Sequence, residues 1–433
     1  MSVRERLAAL ETSGIKLGLA NIERISAALG DPHRAFTTVH VAGTNGKGSV
    51  VAMVHAALRA AGVSAGRYTS PHLSSIHERF VIDNRPVEPA VFDRAATGVL
   101  DVIDRLVADG RLSGPPTWFE ATTAIAFVLF REAGLRVAVV EVGLGGRFDS
   151  TNVVVPAVTA ITSIAMDHEQ FLGRTRAAVA YEKAGIIKPG VPVVIGRLPA
   201  DADAVVRAVA AGAGARVVDA ADPGDRLLPT DAGHAGFVPA DGALAGEPIR
   251  VGLPGDHQAG NAQVAYRVLD LLGACAGIEV PPAAIRQGLA HTHWPGRLEL
   301  LHLAGGRRLL LDAAHNPHGA AALASYLDRW YAPRPALVFA AMQDKDLRGM
   351  LARLLPAVGR VILPPMATPR GATPDAVASA IRALDATRDT AVADSVPHAL
   401  ELAWAHDRDV VAAGSIVLLG EVRDALNPRD TLV

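Results

Sequence analysis

The stretch TTVHVAGTNGKGSVVAMVHAALRAAG, residues 37–62, places three glycines, a lysine and a serine between an apolar β-rich run and a helical one. Gly43, Gly46 and Gly48 would leave backbone N–H groups at a helix start near Ser49, where the positive end of the helix dipole suits a phosphate. Lys47 then reaches the outer phosphates, and a hydroxyl is at hand for a metal ion. The spacing departs from the common phosphate loop G-x-x-x-x-G-K-[ST]: Gly43 stands too close to the Gly-Lys pair, and Gly48 separates Lys47 from Ser49. An Asn-Gly hairpin is the competing reading, but the run after the turn has the pattern and length of a helix.

Three more sites lie where apolar strands run into polar residues. RVAVVEVGLGGRFDSTN ends a buried strand in Glu141, a carboxylate able to meet a metal held by a nucleotide; a solvated strand-end glutamate is the plainer alternative. ITSIAMDHEQFLG offers the imidazole of His168, with Asp167 or Glu169 to orient it. LLLDAAHNPHG sets Asp312 and His315 ahead of a helix begun by Pro317. Asp312 can accept from a ribose or orient a metal-bound water, and His315 can touch phosphate or an acyl intermediate, while a turn cap is the alternative for Asp312. A further lysine, Lys183 in YEKAGIIKPG, has apolar neighbours near a helix end, where an amine loses its charge readily; the simpler story is a lysine snorkelling beside Glu182.

From residue 37 onward, apolar β-rich runs alternate with helical ones, the pattern of a mostly parallel sheet covered by helices. Residues 199–250 lose that rhythm and suggest short antiparallel strands and loops. A Pro-Gly pair in AHTHWPGRLEL marks a junction, after which β-α alternation resumes over a length suited to an independent α/β domain. The expected fold is therefore α/β in two parts. The chain has 433 residues and a formal net charge of -2, a balance that points to neither a nucleic-acid nor an anionic-membrane surface. Its single cysteine, Cys275, suggests a reducing, cytoplasmic setting; no signal-peptide pattern opens the chain, and its longest apolar run is too short to span a membrane. Only five of 42 basic residues are lysines (Lys16, Lys47, Lys183, Lys188 and Lys345), as if lysine were kept where a compact charge or a titratable amine is needed.

Taken together, KLGLANI, VAGTNGKGS, YTSPHL, ERF, EVGLGGRFDSTN, DHEQFLG, EKAGIIKPG, GDHQAGNA, PGRLE, DAAHNPHG and DKD occur in the order seen in folylpolyglutamate and dihydrofolate synthases, which the chain resembles from residue 16 to about 346. GSIVLLGEVR extends the likeness nearly to the end. These enzymes are Mur ligases, and their loop is similar to GTNGKGS. The resemblance implies an N-terminal P-loop-type ATPase and pterin-binding domain over residues 1–290, a linker at 291–297, and a smaller C-terminal Rossmann-like domain over 298–433. It implies that Thr44, Asn45, Gly46, Lys47, Gly48, Ser49, Asn261, Arg297 and Asp312 bind ATP. Ser70, Glu141 and His168 would ligate magnesium, expected as two ions, with Lys183 as a carbamylated ligand. A carbamate makes the amine a carboxylate on a long stem, a conversion closed to arginine. Lys47, Lys183, Asp312 and His315 would be catalytic, and pterin contacts would come from Lys16, Leu17, Gly18, Thr117, Trp118, Phe119, Glu120, Phe148, Asp149 and Ser150.

The implied reaction is ATP-dependent amide formation in folate biosynthesis and one-carbon metabolism. A carboxylate of dihydropteroate or of a reduced folate becomes an acyl phosphate, and the amine of L-glutamate displaces phosphate. The expected protein is a cytoplasmic monomer with no nucleic-acid or membrane partner. A peptidoglycan-precursor Mur ligase is one rival, disfavoured because only 42 residues precede Gly43 and because TSPHL favours folate. A regulatory ATPase is the other, and it has no need of Asp312, His315 or a second domain.

Overall fold

A computed structural model of the chain describes residues 1–11, 14, 16, 18–112 and 114–426, and the elements below are those of the described residues. The first sheet is built from β1 (Thr37–Ala42), β2 (Ala65–Tyr68), β3 (Phe80–Ile82), β4 (Arg85–Pro86), β5 (Val137–Glu141), β6 (Val158–Ile161), β7 (Val193–Ile195) and β8 (Val217–Asp219). Its order is β4-β3-β2-β5-β1-β6-β7-β8. All neighbours are parallel except the β2–β3 and β3–β4 pairs.

The period-2 alternation of a strand explains why β5 reads as a continuous apolar run. Val137 and Val139 pack with Val50, Val54 and Leu58 of the helix Lys47–Ala60 and with Val264 and Val268 of the helix His257–Ala276. Ala138 and Val140 face the other way, onto Ile125, Phe127 and Phe130 of the helix Trp118–Glu132. With both faces covered, the strand ends at one edge are left to meet ligand.

Residues 199–250 differ in part from the sequence expectation. A three-stranded antiparallel sheet is present, of β9 (Arg226–Asp231), β10 (His234–Val238) and β11 (Ile249–Pro254). Before it, however, Ala200–Gly212 is a helix, with Ala202, Val206 and Ala210 buried at a spacing of four. Alanine's helix propensity and that stripe account for it.

The C-terminal domain carries a six-stranded sheet in the order β12-β13-β17-β14-β15-β16. Its strands are β12 (Glu299–Leu303), β13 (Arg307–Asp312), β14 (Ala336–Phe339), β15 (Val361–Leu363), β16 (Thr390–Val392) and β17 (Asp409–Ala413), parallel apart from β12–β13. The linker before it is tied down: Gly296 N–H donates to Glu299 (2.7 Å), and Arg423 donates to the same carboxylate (2.8 Å). Leu73, from the loop after β2, crosses to this domain and packs beside Leu418 and Leu419 of the helix Ile416–Ala425. Its carbonyl fills the space where a side chain at position 420 would lie. Among the described residues, no helix is long and apolar enough to cross a membrane.

Candidate active site

The glycine-rich turn leaves β1 and enters the helix Lys47–Ala60 with Gly46 as its N-cap, in the left-handed region at φ 86°. A Cβ there would lie 2.3 Å from Asn261 Oδ1, so the backbone passes close beneath that side chain. Lys47 opens the helix and folds back, its Nζ donating to Gly43 O (3.1 Å) and Thr44 O (3.3 Å). Burial lowers its ammonium from the ordinary lysine value, with Glu141 and Asp167 pulling the other way. The residues just after β6 brace the turn: Asn45 N–H donates to Ser163 Oγ (3.0 Å), and the Thr162 hydroxyl donates to Asn45 O (2.6 Å). The buried Ser49 hydroxyl accepts from Gln258 (3.3 Å), whose carbonyl accepts from Asn261 (2.8 Å). Ser49 is thus linked to Asn261 through one amide.

Around the turn stand the other strand-end residues. Glu141, at the end of β5, is buried and accepts the backbone N–H of Ser70 (3.2 Å). Burial raises its carboxyl, and Lys47, the Ser70 N–H, Arg297 and Arg79 oppose that rise. Lys183, on the last turn of the helix Arg176–Ala184, is also buried and donates to Gly43 O at 2.9 Å. Burial, reinforced by the nearby Lys47, pushes its amine down to about 7. Both lysines therefore converge on the carbonyl of Gly43.

The two domains meet over this turn. Asn45 and Asn316 exchange side-chain amide bonds at 3.2 and 3.0 Å, and Asn316 also caps the helix Pro317–Trp330. Asn316 donates to Asp167 (3.1 Å), and Lys345 of the C-terminal domain donates to Asp167 (2.7 Å) and to His168 Nε2 (3.1 Å). Burial alone would raise the Asp167 carboxyl, but His315, His168 and Lys345 outweigh it and hold it far below the usual range. Burial, with Lys345, pushes His168 down to about 4 against the pull of Asp167, which leaves a neutral imidazole at neutral pH. His315 Nδ1 donates to Ala313 O (2.8 Å) and turns Nε2 towards Asp167 Oδ2 at 3.6 Å.

Asp312, at the end of β13, accepts the N–H groups of Leu298 (2.9 Å) and Ala314 (3.0 Å), the capping geometry that the sequence left as its alternative. Burial raises its carboxyl, with Arg297 opposing. Arg297 itself reaches Ala313 O at 3.4 Å.

The residues assigned to pterin are held by contacts of their own. The Phe119 ring stacks on Tyr68 with centroids 6.0 Å apart, and the Arg79 guanidinium lies 4.5 Å over the Trp118 ring. Thr117 and Glu120 form a reciprocal capping box that starts their helix, Glu120 N–H to Thr117 Oγ1 (3.1 Å) and Thr117 N–H to Glu120 (2.6 Å). Asp149 accepts from Leu144 N (2.8 Å) and Thr151 N (3.0 Å) and caps the short turn containing Ser150. Phe148 is partly exposed with the Arg147 guanidinium 4.3 Å over its ring. Lys16 donates to Pro115 O (3.0 Å); Leu17 lies outside the described residues.

Sequence reasoning missed Asn316, Lys345, Gln258 and Trp294, whose ring abuts Gly48. The rarity of lysine was a signal for Lys345, and Asn316 shows the Asn-Pro signature of a helix cap. Nothing local announced the other two.

The chain is similar to known proteins. The family model described as Mur ligase, glutamate ligase domain, matches residues 296–416. Folylpolyglutamate synthase of Lacticaseibacillus casei is 36% identical over 406 residues, covering 92% of each chain. Dihydrofolate synthase/folylpolyglutamate synthase of Mycobacterium tuberculosis is 36% identical over 436 residues, 94% of this chain and 89% of that one. A crystal structure of Mycobacterium tuberculosis folylpolyglutamate synthase complexed with ADP and AMPPCP superposes with a TM-score of 0.88 at 33% identity, covering 100% of both chains. At this identity and coverage, the chain belongs to the folylpolyglutamate and dihydrofolate synthase family of Mur ligases.

Proposed function

We propose that the protein is an ATP-dependent ligase that adds L-glutamate both to dihydropteroate and to the γ-carboxylate of reduced folates. The observation that carries this reading is the meeting of Asn45 and Asn316, which sets the phosphate turn of one domain against a helix start of the other. Residues 1–290 bind nucleotide and pterin, 291–297 join, and 298–433 supply the glutamate side.

In the reaction the substrate carboxylate attacks the γ-phosphorus of ATP, the bond to the β-phosphate oxygen breaks, and ADP leaves as the acyl phosphate forms. Lys47 and the N–H groups at the helix start neutralise the charge that develops there. His315, its ring held by the Nδ1 bond to Ala313 O, contacts the acyl phosphate in this reading, and the glutamate amine then displaces phosphate to form the amide. An acyl phosphate hydrolyses readily, so the closure of the C-terminal domain over the turn keeps water away and positions the amine. Thr44, Asn261, Arg297 and Asp312 hold the nucleotide, and Gly18, Trp118, Phe119 and Phe148 with Asp149 and Ser150 hold the pterin.

Glu141, the Ser70 hydroxyl and neutral His168 fit magnesium in donor chemistry. Among the described residues no three His, Cys, Asp or Glu side chains converge as a ready-made metal site; magnesium is usually bound through one or two carboxylates plus substrate phosphates. When bound, magnesium neutralises phosphate charge.

Glutamate-dependent ADP release tests the reading, with dihydropteroate and tetrahydrofolate as separate acceptors. Stimulation by both is expected; stimulation by tetrahydrofolate alone restricts the enzyme to folates, and stimulation by neither overturns the proposal.

Lys183 carries a carbamate in this reading. Only a neutral amine adds carbon dioxide, so occupancy rises as pH climbs through about 7 and falls below it. With 13C-bicarbonate, a carbamate resonance is expected at pH 8 that disappears at pH 5.5 and in Lys183→Ala. Its absence from the wild-type spectrum at pH 8 would remove the modification and leave the ligase assignment standing.

A further inference from the structure

Lys345 stands out because two domains bury it together. It leaves the C-terminal sheet after β14, yet its side chain and that of Asp167 are each only 9% exposed. One N–H of the ammonium goes to Asp167 Oδ1 at 2.7 Å and another to His168 Nε2 at 3.1 Å. Asp344, its sequence neighbour, is 4.0 Å away and partly exposed. A neutral imidazole nitrogen has one lone pair. The lone pair of His168 Nε2 that would ligate a metal is therefore directed at a lysine.

A carboxylate oxygen and an imidazole nitrogen converging on one point of positive charge are also the donors of a cation site. We infer that Lys345 is an internal cation that competes for His168, so that a divalent ion binds His168 only by displacing the lysine. This rests on the reading of His168 as a metal ligand. The Asp167 bond uses a different proton of the ammonium and can persist after displacement. Loading the metal thus breaks one contact of Lys345 and leaves the other as a tether between the domains. Lysine suits the task because its three donors sit on one small, freely turning head, whereas the planar fork of arginine fixes both contacts at once.

The test uses Mn2+ with the full-length protein, without nucleotide, folate or glutamate, and reads free Mn2+ by electron paramagnetic resonance. Hydrogen bonds to charged groups are of a size that makes binding to Lys345→Met about tenfold tighter than to wild type. The 15N resonance of His168 Nε2, assigned with His168→Gln, is expected at a hydrogen-bonded position in metal-free wild type and at the free position in Lys345→Met. The second measurement is needed because loss of a positive charge alone would favour Mn2+, while only loss of the bond moves the resonance. Equal or weaker Mn2+ binding by the folded variant overturns the inference, as does absence of Mn2+ binding by both proteins. Wild type supplies a check that depends on no variant: a free Nε2 position before metal is added also overturns it. Ligase activity enters none of these readouts. An active folate ligase whose Mn2+ affinity ignores Lys345 loses this inference alone, and an inactive protein with the expected Mn2+ behaviour loses only the proposed function.

Discussion

Lys47→Met is expected to lower glutamate-dependent ADP release by about 10²–10³-fold, the range seen when one preorganised charge-stabilising donor is removed. Its ammonium sits at the start of the helix Lys47–Ala60 and is held by Gly43 O and Thr44 O, aimed by the turn. The variant should still fold. Loss of two hydrogen bonds destabilises it by about 1–3 kcal/mol, while removal of an ammonium that burial disfavours acts in the opposite direction. A melting-temperature change of no more than about 4 °C is expected. A variant that keeps more than a tenth of the wild-type rate would take Lys47 out of the phosphoryl chemistry.

Gly46→Val attacks the turn through its backbone. A β-branched residue at φ 86° is strained by about 1–3 kcal/mol. Its Cβ would also sit 2.3 Å from Asn261 Oδ1, in a side chain fixed by Gln258. Forced repacking of this kind costs about 1–3 kcal/mol more. The Ser49–Gln258–Asn261 chain then breaks or the helix start shifts, and either change spoils the row of N–H groups. Calorimetry with ADP is expected to show no binding, and denaturant melts a loss of about 2–6 kcal/mol. ADP affinity within threefold of wild type would show that the turn does not cradle phosphate.

The layered fold was readable because a strand buried on both faces, such as β5, appears as an apolar run over Val137–Val140. The helix Ala200–Gly212 escaped because alanine and aspartate give little contrast between its faces, although Ala202, Val206 and Ala210 carried the period. In the site, the turn at Gly46, Glu141, His168 and Lys183 were visible as polar residues at strand exits or near a helix end. The pairs Asn45–Asn316 and Lys345–Asp167 join residues far apart in the chain, so only the closed arrangement of the domains reveals them. TWFE shows the opposite difficulty. Its Thr-x-x-Glu spacing is a helix-start signature in its own right, and in the structure Thr117 and Glu120 satisfy each other. Their expected pterin contact therefore draws on polar atoms already engaged locally, whereas Trp118 and Phe119 have no such competing bond.

Leu73 bears on how such a protein can change over generations. It lies three residues beyond Ser70 and is wedged against the helix Ile416–Ala425, where its carbonyl leaves room for nothing larger than glycine at position 420. A loop that serves the first domain thus takes its shape from the last helix of the second. A lineage cannot replace its C-terminal half with one from a distant cousin as a free-standing cassette, because the incoming helix must already fit Leu73. An exchanged C-terminal half must therefore bring a glycine at position 420 for the seam to close.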